Sequence, residues 1–272
     1  MAGKTKAKSN LVKDVYDNRK LVWKLAKNDF KTRYAGSYLG IIWAFVQPVV
    51  TVLVYWFVFG VGFREATPQN PPFLLYLLGG IVPWFFFQDA LNSGTNAMLE
   101  YNYLVKKVVF KISVLPIIKF LSALFVHCFF VVFTIVLFTC YGYIPDVYTI
   151  QVLYYSFAIF ALVLGIVYAT SAVVVFFRDL SQIISIALQV GIWMTPIMWK
   201  LTDKPALEKI QWIFKLNPLY YVVTGYRDSL YEKVWFFEHP VYTLYFWVFV
   251  IAMYVFGTGI FNRLKVHFAD VL

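Results

Sequence analysis

The 272-residue sequence predicts an all-α integral membrane protein with six transmembrane helices, an interfacial helix before them and two short outer helices between spans five and six. Three observations carry this expectation. Six uncharged runs, residues 34–63, 66–88, 120–145, 147–177, 180–199 and 241–261, are 30, 23, 26, 31, 20 and 21 residues long, and about 20 helical residues cross the hydrocarbon core of a bilayer. Hydrophobic residues make up 61% of the chain and charged residues 14%, where an ordinary soluble protein carries about a quarter charged. The runs are continuous rather than alternating, which argues against a membrane β-barrel. A cytosolic enzyme, a disordered chain and a disulfide-stapled secreted domain are excluded on the same grounds.

In residues 1–33, Leu11, Val15, Val22, Ala26 and Phe30 recur at helical spacing among Lys13, Arg19, Lys20, Lys24, Lys27 and Lys31. One apolar face among basic ones predicts an amphipathic helix on the membrane surface. This stretch is too polar for a secretory signal, so the first apolar run is expected to stay in the mature protein. Residues 34–272 are read as a single six-helix transmembrane domain. The first connection, residues 64–72, is short and proline-rich. The second carries Glu100, Tyr101, Asn102, Tyr103, Leu104, Val105, Lys106 and Lys107, compatible with a short helix. Cys128 and Cys140 fall in the third run about three turns apart, too distant to pair, and are expected to be small buried thiols. The fifth connection, residues 200–240, is the long one. Leu207, Ile210, Ile213 and Phe214 sit at helical spacing in it, Asn217-Pro218 breaks the pattern, and residues 219–231 form a second amphipathic segment. Both are expected to lie against the outer surface or to re-enter the membrane from it.

Of the 24 Lys and Arg, 17 fall on the side of the two termini and 7 on the other, where Asp203, Glu208, Asp228, Glu232 and Glu238 nearly balance them. The positive-inside rule then puts both termini in the cytoplasm. The formal charge of +10 is explained by this topology and by attraction to anionic lipid, with no nucleic-acid partner.

No catalytic or metal constellation is visible. His127, His239 and His267 are far apart, and Gly3-Lys4-Thr5 lacks the upstream glycine and strand of a phosphate-binding loop. The intramembrane polar residues are Gln47, Gln88, Asp89, Asn92, Gln182 and Gln189 with some Ser and Thr. Asp89 is the one carboxylate near a membrane interior, and such a group faces protein or water.

A resemblance enters through short motifs in order: Arg33-Tyr34, Ser37, Leu39-Gly40, Trp43 and Pro48; Gly80, Pro83-Trp84 and Phe86; Phe177-Arg178-Asp179; Pro196; Asn217-Pro218 and Tyr226-Arg227; Phe268-Ala269-Asp270. Over essentially the whole chain they resemble the membrane subunits of polysaccharide-exporting ABC transporters, the ABC-2 permease family. Val54-Tyr55-Trp56, Val58-Phe59-Gly60, residues 231–239 and the ending Val271-Leu272 most resemble wall teichoic acid exporters within it. Phe110-Lys111 departs from the Phe-Pro of many relatives.

The resemblance implies a homodimer clamped by two separate ATPase subunits that bind ATP and Mg, so that this chain needs no cofactor and is not an enzyme. The implied cargo is a teichoic acid on an undecaprenyl diphosphate lipid, or alternatively an O-antigen or capsular polysaccharide, moved across the bacterial plasma membrane. It makes Glu100, Tyr101, Tyr103, Leu104, Lys106 and Lys107 the segment coupled to the ATPase. Lys31, Arg33 and Arg178 flank the cytoplasmic mouth, where a guanidinium can fork onto two diphosphate oxygens. Tyr38, Trp43, Trp84, Phe87, Trp193 and Trp199 offer flat faces along which sugar or ribitol units can slide. Two other readings are a membrane enzyme acting on polyprenyl-linked sugars, which would need a His or carboxylate constellation at one face, and a passive channel, which would need rings of pore charges.

Overall fold

The computed structural model describes residues 15–62, 71–105, 111–201 and 209–271, and among them every regular element is helical. α1 (Arg19–Arg33) ends in a corner where Gly36 and Gly40 take φ of 89° and 53°, a region closed to most L side chains. A 3-10 turn at Gly40–Ile42 leads into α2 (Trp43–Tyr55), which widens into a π segment at Trp56–Gly62. α3 (Phe73–Thr95) follows, then the short α4 (Ala97–Glu100) and α5 (Asn102–Val105). α6 (Leu115–Cys140) starts with Pro116 in its first turn, where a missing N–H costs nothing. The Asp146 carboxylate caps the turn before α7 (Gln151–Val173) by accepting from the Tyr148 N–H at 3.0 Å. Then come α8 (Leu180–Met194), α9 (Gln211–Lys215), α10 (Pro218–Arg227), α11 (Pro240–Leu264) and α12 (Phe268–Val271).

Among the described residues, five helices are long and apolar enough to span a membrane: Gly40–Gly62, Phe73–Thr95, Ile112–Cys140, Val147–Val173 and Pro240–His267. The expected fifth span is shorter than its 20-residue run. α8 stops at Met194, about 22 Å at 1.5 Å per residue, because Thr195 precedes Pro196 and is pushed to φ −100°, ψ 125°.

α3 is the axis of the bundle. Most of its side chains are buried, and α6, α7, α8 and α10 pack around it. α7 and α11 pack backbone to backbone, since a Cβ on Gly257 would lie 2.1 Å from the Gly165 carbonyl oxygen. Small residues let membrane helices approach this closely. At the α1 end a second apolar cluster joins Val22, Ala26, Met98, Val105, Leu115, Ile118, Tyr168, Phe261 and Phe268. α1 itself docks sideways on α6, with Trp23 and Phe30 at 5.3 and 5.5 Å from the Phe125 ring.

In the fifth connection α10 lies inside the bundle rather than on its surface, the second of the two expected arrangements. Leu219, Val222, Val223, Tyr226 and Arg227 are buried, so α10 enters the bundle against α3 and α7. Asn217 starts it, accepting from the Leu219 N–H at 3.0 Å while its amide donates to Thr195 Oγ1 at 2.9 Å. The Arg227 guanidinium donates to the Pro196 and Ile197 carbonyls at 2.9 and 2.8 Å and lies 3.7 Å over the Tyr76 ring. Those carbonyls lost their helical partners when α8 stopped, and apolar surroundings offer no water to replace them. Gly80 permits the arrangement, because a Cβ there would lie 3.0 Å from Arg227 Nη2. Pro196, Asn217, Arg227 and Gly80, separate motifs in the sequence, thus form one structural unit. Cys128 and Cys140 are exposed rather than buried, consistent with their place on the outer face of α6.

Candidate functional site

Between α2 and the wall of α3 and α6 lies a cavity of about 620 Å³. It exists because α2 barely seats on the bundle, with only Ala44 and Val52 buried. Gln47 and Thr51, one helical turn apart, face it from α2; Gln88, Asp89 and Asn92 face it from α3, and His127 from α6. Tyr34, Trp43 and Tyr55 supply aromatic edges. Amides, a hydroxyl and a carboxylate beside flat rings suit a ligand rich in hydroxyl groups.

At the α1 end of this cavity Arg33 Nη1 donates to both carboxylate oxygens of Asp89, each at 2.8 Å. Arg33 Nη2 is 4.0 Å from Asp29. Behind it, Lys119 Nζ donates to Asp29 Oδ1 at 2.6 Å and also bonds Glu100, while the Tyr101 hydroxyl donates to Asp29 at 2.6 Å. An unbroken series of charges therefore runs Glu100, Lys119, Asp29, Arg33, Asp89, joining α4, α6, α1 and α3. Burial alone would raise the Asp29 carboxyl, but the bonds from Lys119 and Tyr101 outweigh it and hold the group below the ordinary carboxylate range. Burial likewise works against the Arg33 charge, and the Asp89 carboxylate more than restores it.

The expected site residues divide sharply. Of the six aromatics, Trp43 lines the cavity and Tyr38 is wholly exposed nearby. Trp84 and Phe87 are buried, and the Trp84 indole donates to Gln88 at 3.0 Å. Trp193 is exposed beside Phe59, and Trp199 packs on Phe214. Lys31 is exposed in the last turn of α1. Arg178 is exposed between α7 and α8 and forms no ion pair with Asp179 among the described residues. In the second connection Tyr103 projects outward, Leu104 packs into the apolar cluster, and Glu100 and Tyr101 join the charge series. Lys106 and Lys107 lie outside the described residues.

Sequence reading missed Asp29 and the role of Lys119. The signal was present: Asp29 follows Val22 and Ala26 at intervals of four and three, which places a carboxylate on the buried face of an amphipathic helix. Lys119 sits one turn inside an apolar helix, where a cation requires a partner.

Comparison with known proteins agrees with this architecture. A family model described as ABC-2 type transporter matches residues 20–231. An O-antigen export system permease protein RfbA of Klebsiella pneumoniae is 29% identical over 252 residues, 91% of this chain and 93% of that protein. The protein of the same name from Myxococcus xanthus is 31% identical over 225 residues, 82% of this chain and 84% of its own length. With the match reaching from α1 through α10 and these permeases aligned along nearly the full chain, the protein belongs to the ABC-2 type transporter family.

Proposed function

We propose that this chain is the permease subunit of an ATP-driven exporter that moves a lipid-linked polysaccharide from the inner to the outer leaflet of a bacterial plasma membrane. The observation that carries this reading is the cavity of about 620 Å³, lined by amides, a carboxylate and aromatic edges, in a chain similar along most of its length to O-antigen export permeases. The relatives favour an O-antigen type of glycan over the teichoic acid suggested by the local motifs. As a permease the subunit is not an enzyme; hydrolysis of ATP with Mg belongs to a partner ATPase.

The cavity is bounded on one side by α2 alone, and the exposed face of α2, including Trp43, Val50 and Leu53, suits a two-fold seam with a second copy. A homodimer with two ATPase subunits would then enclose a path that one protomer leaves open. Both termini face the cytoplasm in this reading, by the 17 to 7 asymmetry of basic residues. The exposed Tyr103 is the anchor for the ATPase, and Tyr101 and Leu104 hold the segment from behind. The lipid diphosphate meets Lys31, Arg33 and Arg178 at the cytoplasmic mouth. Because Arg33 is already engaged, the diphosphate exchanges with Asp89 for the guanidinium.

The test is reconstitution of the permease with its ATPase in vesicles loaded with polyprenyl-diphosphate-linked glycan. Glycan should become accessible to an external lectin only with ATP. Teichoic acid carried in place of neutral glycan would restore the narrower teichoic acid reading. Failure to bind any ATPase, with turnover of a polyprenyl-linked sugar instead, would replace the exporter by the membrane enzyme.

A further inference from the structure

At the end opposite α1, α7, α9, α10 and α11 converge on a second cavity of about 220 Å³, which shares no wall residue with the first. Lys215, Tyr220, Thr224, Asp228, His239 and Tyr242 face it. The Asp228 side chain is only 9% exposed, His239 Nε2 lies 3.9 Å from it, and no hydrogen bond reaches its carboxylate among the described residues. A buried carboxylate left in that state is costly unless something donates to it.

The floor of the cavity is closely packed. A Cβ on Gly225 would stand 2.0 Å from the Tyr155 ring, so α10 lies directly on that buried ring. The neighbouring Tyr221 hydroxyl is held at 2.9 Å by Tyr154 and at 3.0 Å by Thr243. These contacts aim Thr224 and Asp228, one turn apart on α10 and its continuation, at the same space.

The wall selects among ligand classes. An anion would meet the Asp228 carboxylate. A simple cation would meet the Lys215 ammonium. An apolar ligand would cover Asp228, Lys215 and Thr224 and leave them without partners. What remains is a neutral polyol: a carboxylate accepts from adjacent hydroxyls, Lys215 donates, the Thr and Tyr hydroxyls do either, and ring faces take C–H surfaces. The volume of about 220 Å³ gives room for one six-membered sugar ring with its hydroxyls.

We propose that this cavity is a binding site for a single neutral sugar residue, with the Asp228 carboxylate accepting hydrogen bonds from two adjacent hydroxyls. Only the physiological source of the sugar, a unit of the exported glycan, rests on the exporter reading; the binding itself does not.

The test uses the purified full-length permease in nanodiscs and saturation-transfer NMR with the methyl glycosides of glucose, galactose, mannose, rhamnose and N-acetylglucosamine. At least one should bind the wild type at millimolar concentration. Asp228→Asn should weaken binding at least tenfold, and Tyr220→Phe, which removes one hydroxyl and leaves the packing intact, by a few fold. Gly259→Ala, on α11 and lining neither cavity, meets nothing within 4 Å and should leave binding unchanged. Absence of binding by the wild type, equal binding by Asp228→Asn in a protein of unchanged melting temperature, or preference for ribitol phosphate over every glycoside would each overturn the proposal. Sugar binding without export would count against the exporter alone, whereas export without sugar binding would count against this site alone.

Discussion

Replacing Lys119 by Met tests whether the buried charge cluster holds the α1 end of the molecule together. The Lys119 and Asp29 side chains are 7% and 5% exposed and their charged atoms 2.6 Å apart. At an effective dielectric of about 20 such charges attract by about 6 kcal/mol before desolvation is subtracted. Removing one member of a buried pair costs about 3 to 5 kcal/mol, chiefly because the other charge is left behind. Asp29 keeps the Tyr101 hydroxyl at 2.6 Å and Arg33 at 4.0 Å, which moves the expectation to the lower end, about 3 kcal/mol. The bond from Lys119 to Glu100 adds little, since Glu100 is 51% exposed. Asp29→Asn combined with Lys119→Met removes both charges and should recover to within about 1 kcal/mol of wild type. Equilibrium unfolding in mixed micelles, with equal slopes for all variants, measures the difference. The sign with pH is also set: Asp29 is held below its unfolded value, so its contribution is present above about pH 4 and fades as pH falls. A loss below about 1 kcal/mol for Lys119→Met, or a double variant no better than the single one, would refute the reasoning.

Three other outcomes follow from separate parts of the structure. Gly257→Ala puts a Cβ 2.1 Å from the Gly165 oxygen and should destabilise by about 1 to 3 kcal/mol, whereas Gly259→Ala on the same helix meets nothing within 4 Å and should be neutral or slightly stabilising; the same unfolding assay compares them. Burial, followed by the nearby Glu232, pushes Asp228 up to about 7. The folded protein therefore holds a proton that the unfolded chain releases near pH 4, stability falls as pH rises between these values, and Asp228→Asn should flatten the melting profile over that window. Arg33→Lys keeps the charge and can still reach Asp89, since a single nitrogen makes both existing bonds, yet it loses the planar fork. Normal expression and ATPase assembly with impaired export is the expected result, and full export would leave Arg33 as a determinant of topology.

The order of the apolar segments, the amphipathic α1, the break at Asn217-Pro218 and the family motifs were all legible in the 272 residues. So was Asp89 as a polar residue that must face protein or cavity. The reason is that membrane insertion, helical periodicity and proline geometry are local: about 20 consecutive residues decide whether a segment can cross, and one proline decides where a helix stops. The end of α8 at Thr195 follows from that same local rule at Pro196. Hydropathy alone counted residues 180–199 as one span because it is blind to backbone geometry.

Which polar groups meet was decided only by tertiary packing. Arg33 finds Asp89 across 56 positions and Lys119 finds Asp29 across 90; charge and spacing along the chain show that these residues need partners, not which ones. The burial of Trp84 beside the exposure of Trp43 has the same origin, since one belongs to the helix at the centre of the bundle and the other to a helix at its edge. The entry of α10 between α3 and α7 depends on Arg227 reaching the carbonyls freed beyond α8 and on Gly80 leaving it room. A buried polar group is stable only when another element supplies its bond, and that supply is a property of the assembled bundle rather than of any one segment.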